Sequence, residues 1–262
     1  MDGLIVYVDG IGFWAPGLED WPHAERVLNG EAFAIADANA KPSPASLPPA
    51  ERRRAPEPVL LACEAASQAC AMAARDPAAL ASVFASTSGD LAITDAMCAT
   101  LAADPRELSP TRFHNSVHNA PAGYWTVAMH CHATATAISA GAASFAAGLF
   151  EAAIEIASEG EAVLLAAYDI VARGPVAEVA PSVVPFASAL VLSGKRSERS
   201  RACLKLYRAA SEPTTPAPLA ALAGNPMAVQ ALPLLAAIAS KQSARVVLSA
   251  GAGSTLIAEV TP

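Results

Sequence analysis

Residues 136–153 read TAISAGAASFAAGLFEAA, and this stretch decides the fold. From Thr134 to Ser139, Thr134, Thr136 and Ile138 alternate with alanines or serine, the pattern of a strand with small residues on one side. A tight Ala140-Gly141 corner follows. From about Ala142 to Ala157, Phe145, Leu149, Ala152 and Ile156 recur at helical spacing with small residues elsewhere, which predicts a deeply buried helix that neighbouring backbone approaches closely. The same region holds the longest uncharged run, Ala133 to Phe150, about long enough to span a bilayer. It is built from Ala, Thr, Ser and Gly rather than Leu, Ile and Phe, so it reads as a buried strand and helix and not as a membrane span.

Outward from this corner the elements alternate. Upstream, Leu4 to Val8 reads as a strand that breaks into a glycine-rich turn, and residues 35–58 as an irregular surface connection. A helix follows over Val59 to Arg75, a short strand over Val83 to Ala85 and a helix over Asp90 to Ala103. Ser109 to Asn119 has no clean period and reads as ordered loop before a helix at Ala120 to Met129. Downstream, strands are expected at Ala162 to Tyr168, Ala187 to Leu192 and Cys203 to Arg208. After a linker at 213–218 come a helix near Met227 to Ser240 and strands at Arg245 to Ser249 and Thr255 to Val260. Such alternation predicts a mixed α/β layer architecture with much parallel pairing, in a single domain over residues 1–262.

The 262-residue chain carries 53% apolar and 16% charged residues and a net charge of −7. That balance lacks the general cationic excess of a non-specific nucleic-acid binder. Local basic clusters at Arg52 to Arg54 and at Lys195, Arg196, Arg199 and Arg201 read as solvated faces, or as a means of steering an acidic partner. No basic segment precedes the short apolar start, which argues against a signal peptide and for a cytoplasmic protein. Five scattered cysteines suit reduced, buried thiols.

Gly10, Gly12 and Ala15 formally satisfy a dinucleotide fingerprint, but Pro16 and Gly17 interrupt the helix that such a site needs, so no cofactor is expected. Four of the five histidines, His114, His118, His130 and His132, fall within nineteen positions. His114 with His118 on a helix, or His130 with His132 on a strand, would have zinc-ligand spacing. No Asp or Glu lies between Glu107 and Glu151, however, and hydrogen-bonded or pocket-lining histidines are the preferred reading. Ser144 looks like a small helix residue, and no G-x-S-x-G elbow is present.

Several stretches together resemble the β-ketoacyl synthase family of the thiolase-like fold. They are VYVDGIGFWAPGLEDW (6–21), ERRRAPEPVLLACEAA (51–66), FHNSVHNAPAGYW (113–125), TAISAGAASFAAGLFEAA, EAVLLAAYD (161–169), PFASALVLS (185–193) and the terminal LSAGAGSTLIAEV (248–260). The combination of FHNSVHNA with the SAGAASFAAG corner is similar to a short branch of β-ketoacyl synthase-like N-terminal domain proteins associated with aryl polyene clusters.

The resemblance implies a thiolase-like layered α/β fold with a complete N-terminal half and a shortened C-terminal half. It implies that the family's nucleophilic cysteine, held where a helix N-terminus lowers its pKa, is replaced by Ala142. It also implies that the two histidines of the second half, which assist loss of the malonyl carboxylate and hold the oxyanion, have no counterpart, since no histidine follows His132. Asn225-Pro226 stands near one expected place.

The expected role is that of a condensation-incompetent accessory protein in fatty-acid, polyketide or aryl polyene synthesis, acting on chain length or carrier docking. Its partners would be an acyl carrier protein or acyl thioester, and a full-length ketosynthase or a second copy. Phe113, His114, Ser116 and His118 would then lie near an acyl pocket or subunit interface. The competing expectation is acyl transfer or thioester hydrolysis using His114 or His118 with Ser144, or a bound metal.

Overall fold

The computed structural model describes residues 3–34 and 41–262. The chain opens with strand β1 (Leu4–Trp14), helix α1 (Trp21–Leu28), the short α2 (Pro49–Arg52) and the long α3 (Glu57–Ala73). Strand β2 (Ala81–Ala85), helices α4 (Leu91–Ala103), α5 (Pro110–Asn115) and α6 (Ala120–Ala128), strand β3 (Ala135–Ile138) and helix α7 (Ser144–Glu159) complete the first half. The second half holds β4 (Val163–Asp169), β5 (Phe186–Ser193), β6 (Ala202–Ala210), α8 (Pro226–Ala239), β7 (Ala244–Ser249) and β8 (Ser254–Thr261).

Among the described residues these strands form one sheet in the order β3-β2-β4-β5-β1-β6-β8-β7. Only β2 with β3 and β2 with β4 pair in parallel; the other five pairings are antiparallel. The expectation of much parallel pairing is corrected accordingly. Alternation of elements along the chain does not distinguish crossovers from returns, because β1, which pairs with both β5 and β6, is remote from them in sequence.

Side-chain alternation sets the layers. In β4, Leu164, Ala166 and Tyr168 pack with Val59, Ala62 and Ala66 of α3, whereas Val163, Leu165 and Ala167 pack with Phe145, Leu149 and Leu232 of α7 and α8 on the opposite face. Helix α8 also lies against β7 and β8 of the second half. The segment Gly141–Glu159 is long and apolar enough to cross a membrane, but half of it is buried inside the fold.

Strand β1 runs far beyond the expected Leu4 to Val8, straight through the glycines read as a turn. Packing explains the glycines. A Cβ on Gly10 would run into the carbonyl oxygen of Ala69, and one on Gly12 into that of Ala65, so α3 lies directly on a strand stripped of side chains. The register shifts between Val8 and Gly10, and the long strand pairs with β6 through its first half and with β5 through its second.

At the shift sits buried Asp9, which accepts a hydrogen bond from Ser200 Oγ at 2.9 Å and faces the Arg75 guanidinium at 3.6 Å. The irregular connection expected over 35–58 has one turn of helix at α2 and ends where α3 begins; its residues 35–40 lie outside the described ones. Ser109 to Asn119, read as loop, contains α5, capped by Ser109 Oγ.

Candidate functional site

The link from β3 to α7 is the corner expected from the sequence. Gly141 takes a left-handed φ of 55°, and Gly141–Ala143 forms a single tight turn before α7 starts. Ala142 is exposed at the tip of this turn. Two side chains stitch the turn together. Ser144 Oγ accepts the Ala140 N–H at 2.9 Å and donates to the Gly141 carbonyl at 2.8 Å. Gln230 of α8 accepts the Phe145 N–H through Oε1 at 2.9 Å, while its Nε2 donates to the Pro226 carbonyl at 3.1 Å. A backbone N–H at the start of α7, which would otherwise favour an anion, is thereby satisfied by a neutral amide.

Ala142 lines a cavity of about 560 Å³, with Leu91, Asp169, Val229, Gln230 and Pro233 also on its wall. No cysteine, histidine, lysine or arginine lines it among the described residues. Its one ionisable group, Asp169, is buried. Oδ1 accepts the Ser86 hydroxyl and the Thr87 N–H, each at 2.8 Å, and Oδ2 has no hydrogen-bond partner among the described residues. Burial raises the carboxyl pKa, opposed by the hydrogen bonds from Thr87 and Ser86 and by the Met227 N–H at the start of α8.

Asn225 is also fully buried. Its Oδ1 caps α8 at the Ala228 N–H (2.9 Å), and its Nδ2 donates to the carbonyls of Val184 (2.7 Å) and Asp169 (3.0 Å). It locks elements together and leaves no free group for proton transfer.

The cysteines lie elsewhere. Cys131 Sγ donates to the Leu80 carbonyl at 3.3 Å, at the beginning of β2, whereas the corner leaves the sheet at the other end, where Ser86 N–H bonds Ile138 and Ser139 Oγ bonds Thr87. Six residues of extended chain separate those ends, roughly 20 Å. Burial pushes the thiols of Cys63 and Cys70 up to about 12, so both are inert at neutral pH.

The three residues singled out for alternative chemistry are not brought together. Ser144 is fully buried and its hydroxyl is held by backbone alone. His118 places Nε2 3.3 Å from the Ser86 carbonyl, under Gly89. Exposed His114 lines a separate recess of about 580 Å³ with Val117, Tyr124, Val127 and His130.

The pairings that suggested zinc also dissolve. α5 ends before His118, and His130 sits in a left-handed turn and not on a strand. Among the described residues no three His, Cys, Asp or Glu side chains converge. Around the recess, Phe113, Val117 and Val127 are 60%, 47% and 76% exposed, an apolar patch on α5, α6 and the turn between them.

A family profile described as "Beta-ketoacyl synthase, N-terminal domain" matches residues 23–251. The chain belongs to this family. No curated protein matches the sequence.

Among solved structures, the chain is similar to one of a ketosynthase (ApeO) in complex with its chain length factor (ApeC) from Xenorhabdus doucetiae. The TM-score is 0.75 and the identity 23%, over 98% of this chain and 99% of that one. It is similar over 99% of both chains, with TM-score 0.77 and 11% identity, to a type II PKS acyl-carrier protein in complex with its ketosynthase bound to the hexaketide. The ishigamide ketosynthase/chain length factor matches 98% of this chain and 99% of that one at TM-score 0.72 and 15% identity.

At these identities the likeness is one of fold, and it establishes the thiolase-like layers that the resemblance implied. The β3–α7 link holds Ala142, the residue to which the resemblance assigns the nucleophile's place, at the tip of its turn. Gln230 was not singled out in the sequence. A lone glutamine on a helix 85 residues further on gives no signal of its position.

Proposed function

We propose that this chain is a condensation-incompetent, ketosynthase-like accessory subunit of fatty-acid, polyketide or aryl polyene synthesis. In this reading it is a single cytoplasmic domain over residues 1–262 that pairs with a full-length ketosynthase and acts on chain length or on docking of the acyl carrier protein. The observation that carries the reading is the corner: Ala142 at its tip, Gln230 capping the helix behind it, and no thiol or imidazole on the adjoining cavity wall among the described residues.

Alanine cannot form the acyl thioester on which the family's condensation depends. Two of the similar structures, each a ketosynthase with its chain length factor, support the choice of partner. The exposed Phe113, Val117 and Val127, in the region that the resemblance places near an acyl pocket or subunit interface, support a subunit interface there.

The competing reading, acyl transfer or hydrolysis by His114 or His118 with Ser144, is not favoured, because the Ser144 hydroxyl is held by backbone and neither imidazole is among its partners. The test is to assay a full-length ketosynthase with and without this chain, using acyl carrier thioesters. A stable complex and an altered product length, with no turnover by this chain alone, is the expected result. Turnover by the isolated chain that is lost in His118→Ala would reject it.

A further inference from the structure

The cavity beside Ala142 has the size of a small-molecule site, and its mouth is apolar: Val179 and Val229 stand on its wall with 84% and 42% of their surface exposed. Leu91, Ile170, Pro233 and Leu248 continue that surface. The polar side chains on the wall are hydroxyls, the Gln230 amide and Asp169, whose charge can only be negative. No lysine, arginine or histidine lines the cavity among the described residues.

Two helices begin on this wall, and a helix start ordinarily receives an anion through its free backbone N–H groups. At α7 those groups are used up. The Ala143 N–H donates to the Ala140 carbonyl, the Ser144 N–H to the Gly141 carbonyl and the Phe145 N–H to Gln230 Oε1. At α8 the first residue, Pro226, has no N–H, and that of Met227 lies against the Asp169 carboxyl. The Ala228 N–H donates to Asn225 Oδ1 and the Val229 N–H to the Asn225 carbonyl.

A carboxylate entering the cavity would therefore leave water for a wall with no cation and no open helix start to meet it, beside a second acid. A carbonyl oxygen makes no such demand, since a hydroxyl satisfies it.

We propose that this cavity holds an uncharged acyl chain, without a covalent bond, and excludes a chain that ends in a carboxylate, such as a malonyl group. The inference rests on the accessory reading in taking the ligand to be an acyl thioester. It adds which carrier the subunit recognises: one bearing a starter or grown chain, not one bearing a carboxylated extender.

The test measures binding of pantetheine thioesters to the isolated chain by calorimetry at pH 7.5. Pantetheine is uncharged, so the acyl end alone sets the charge. Hexanoyl-pantetheine is expected to bind at least about tenfold more tightly than malonyl-pantetheine, because the carboxylate is desolvated without a partner. The methyl ester of malonyl-pantetheine, close in shape but without the charge, should recover most of that difference. Val229→Lys, at the half-exposed mouth, is expected to raise malonyl affinity about threefold or more and to change hexanoyl affinity less. Val229→Trp, which narrows the mouth, should weaken hexanoyl binding about tenfold or more.

Malonyl-pantetheine binding as tightly as its methyl ester would overturn the inference. So would hexanoyl-pantetheine that does not bind, or that binds Val229→Trp as well as wild type. None of these results touches the accessory reading, which fails instead by turnover or an acyl adduct on the isolated chain.

Discussion

A cysteine introduced at Ala142 would sit at the tip of a tight turn, on the wall of the cavity, with the start of α7 behind it. In an active family member that helix end favours the thiolate. Here Gln230 already accepts the Phe145 N–H. Ala142→Cys alone should therefore alkylate with iodoacetamide like an ordinary thiol. Adding Gln230→Ala should raise its rate at pH 7 roughly two- to five-fold, the effect of about 0.3–1 kcal/mol of helix-end stabilisation. Equal pH–rate profiles for the two variants would show that Gln230 does not shield the corner.

Asp169 supplies a second test. Its pKa is raised in the folded chain, so as pH climbs past the ordinary carboxylate range the unfolded state releases its proton first and folding loses stability. Asp169→Asn keeps the oxygen that accepts from Ser86 and Thr87 and removes that loss. Its melting temperature relative to wild type should rise between pH 4 and pH 8 and be least favourable at the acid end. The absence of any histidine after His132 was readable directly from the sequence. Asp169 was not, because it reads as the polar end of an apolar strand.

At the scale of elements, strong periodicity gave the helices α3 and α7 and the strands β4 and β5 close to their true limits. What failed was β1, where Gly10 and Gly12 suggest a turn when local chemistry alone is considered, yet are required by a helix whose contacting residues, Ala65 and Ala69, lie far along the chain. The order of strands was hidden for the same reason, since antiparallel partners such as β1 and β6 are distant in sequence.

Adding one methyl group at Gly12 should force α3 off the sheet. Gly12→Ala is expected to destabilise the fold by about 2 kcal/mol or more, the upper part of the range for overpacked cores. Thermal unfolding measures this directly, and an unchanged midpoint would mean that α3 can shift without loss.

At the scale of the molecule, the second half supplies five strands and one long helix, and β6 and β8 carry charged groups on their outer face. Lys205, Tyr207 and Glu259 form a connected group across β6 and β8, with Glu259 accepting from Tyr207 at 3.0 Å and facing Lys205 at 3.6 Å, and Arg245 grips Glu212. Such a face is adapted to water. The apolar patch and the open sheet edge lie instead with α5, α6 and β3, in the first half, so pairing is expected there and the corner lies beside it.

Everything assigned to the chain as an accessory subunit depends on its inability to carry an acyl group. Intact-mass analysis of the isolated protein after incubation with an acyl carrier thioester tests this most directly. No covalent mass increment is predicted, because the corner holds a methyl group and Cys131 lies buried at the opposite end of β2. A stoichiometric acyl adduct mapping to Cys131, lost in Cys131→Ser, would contradict the account.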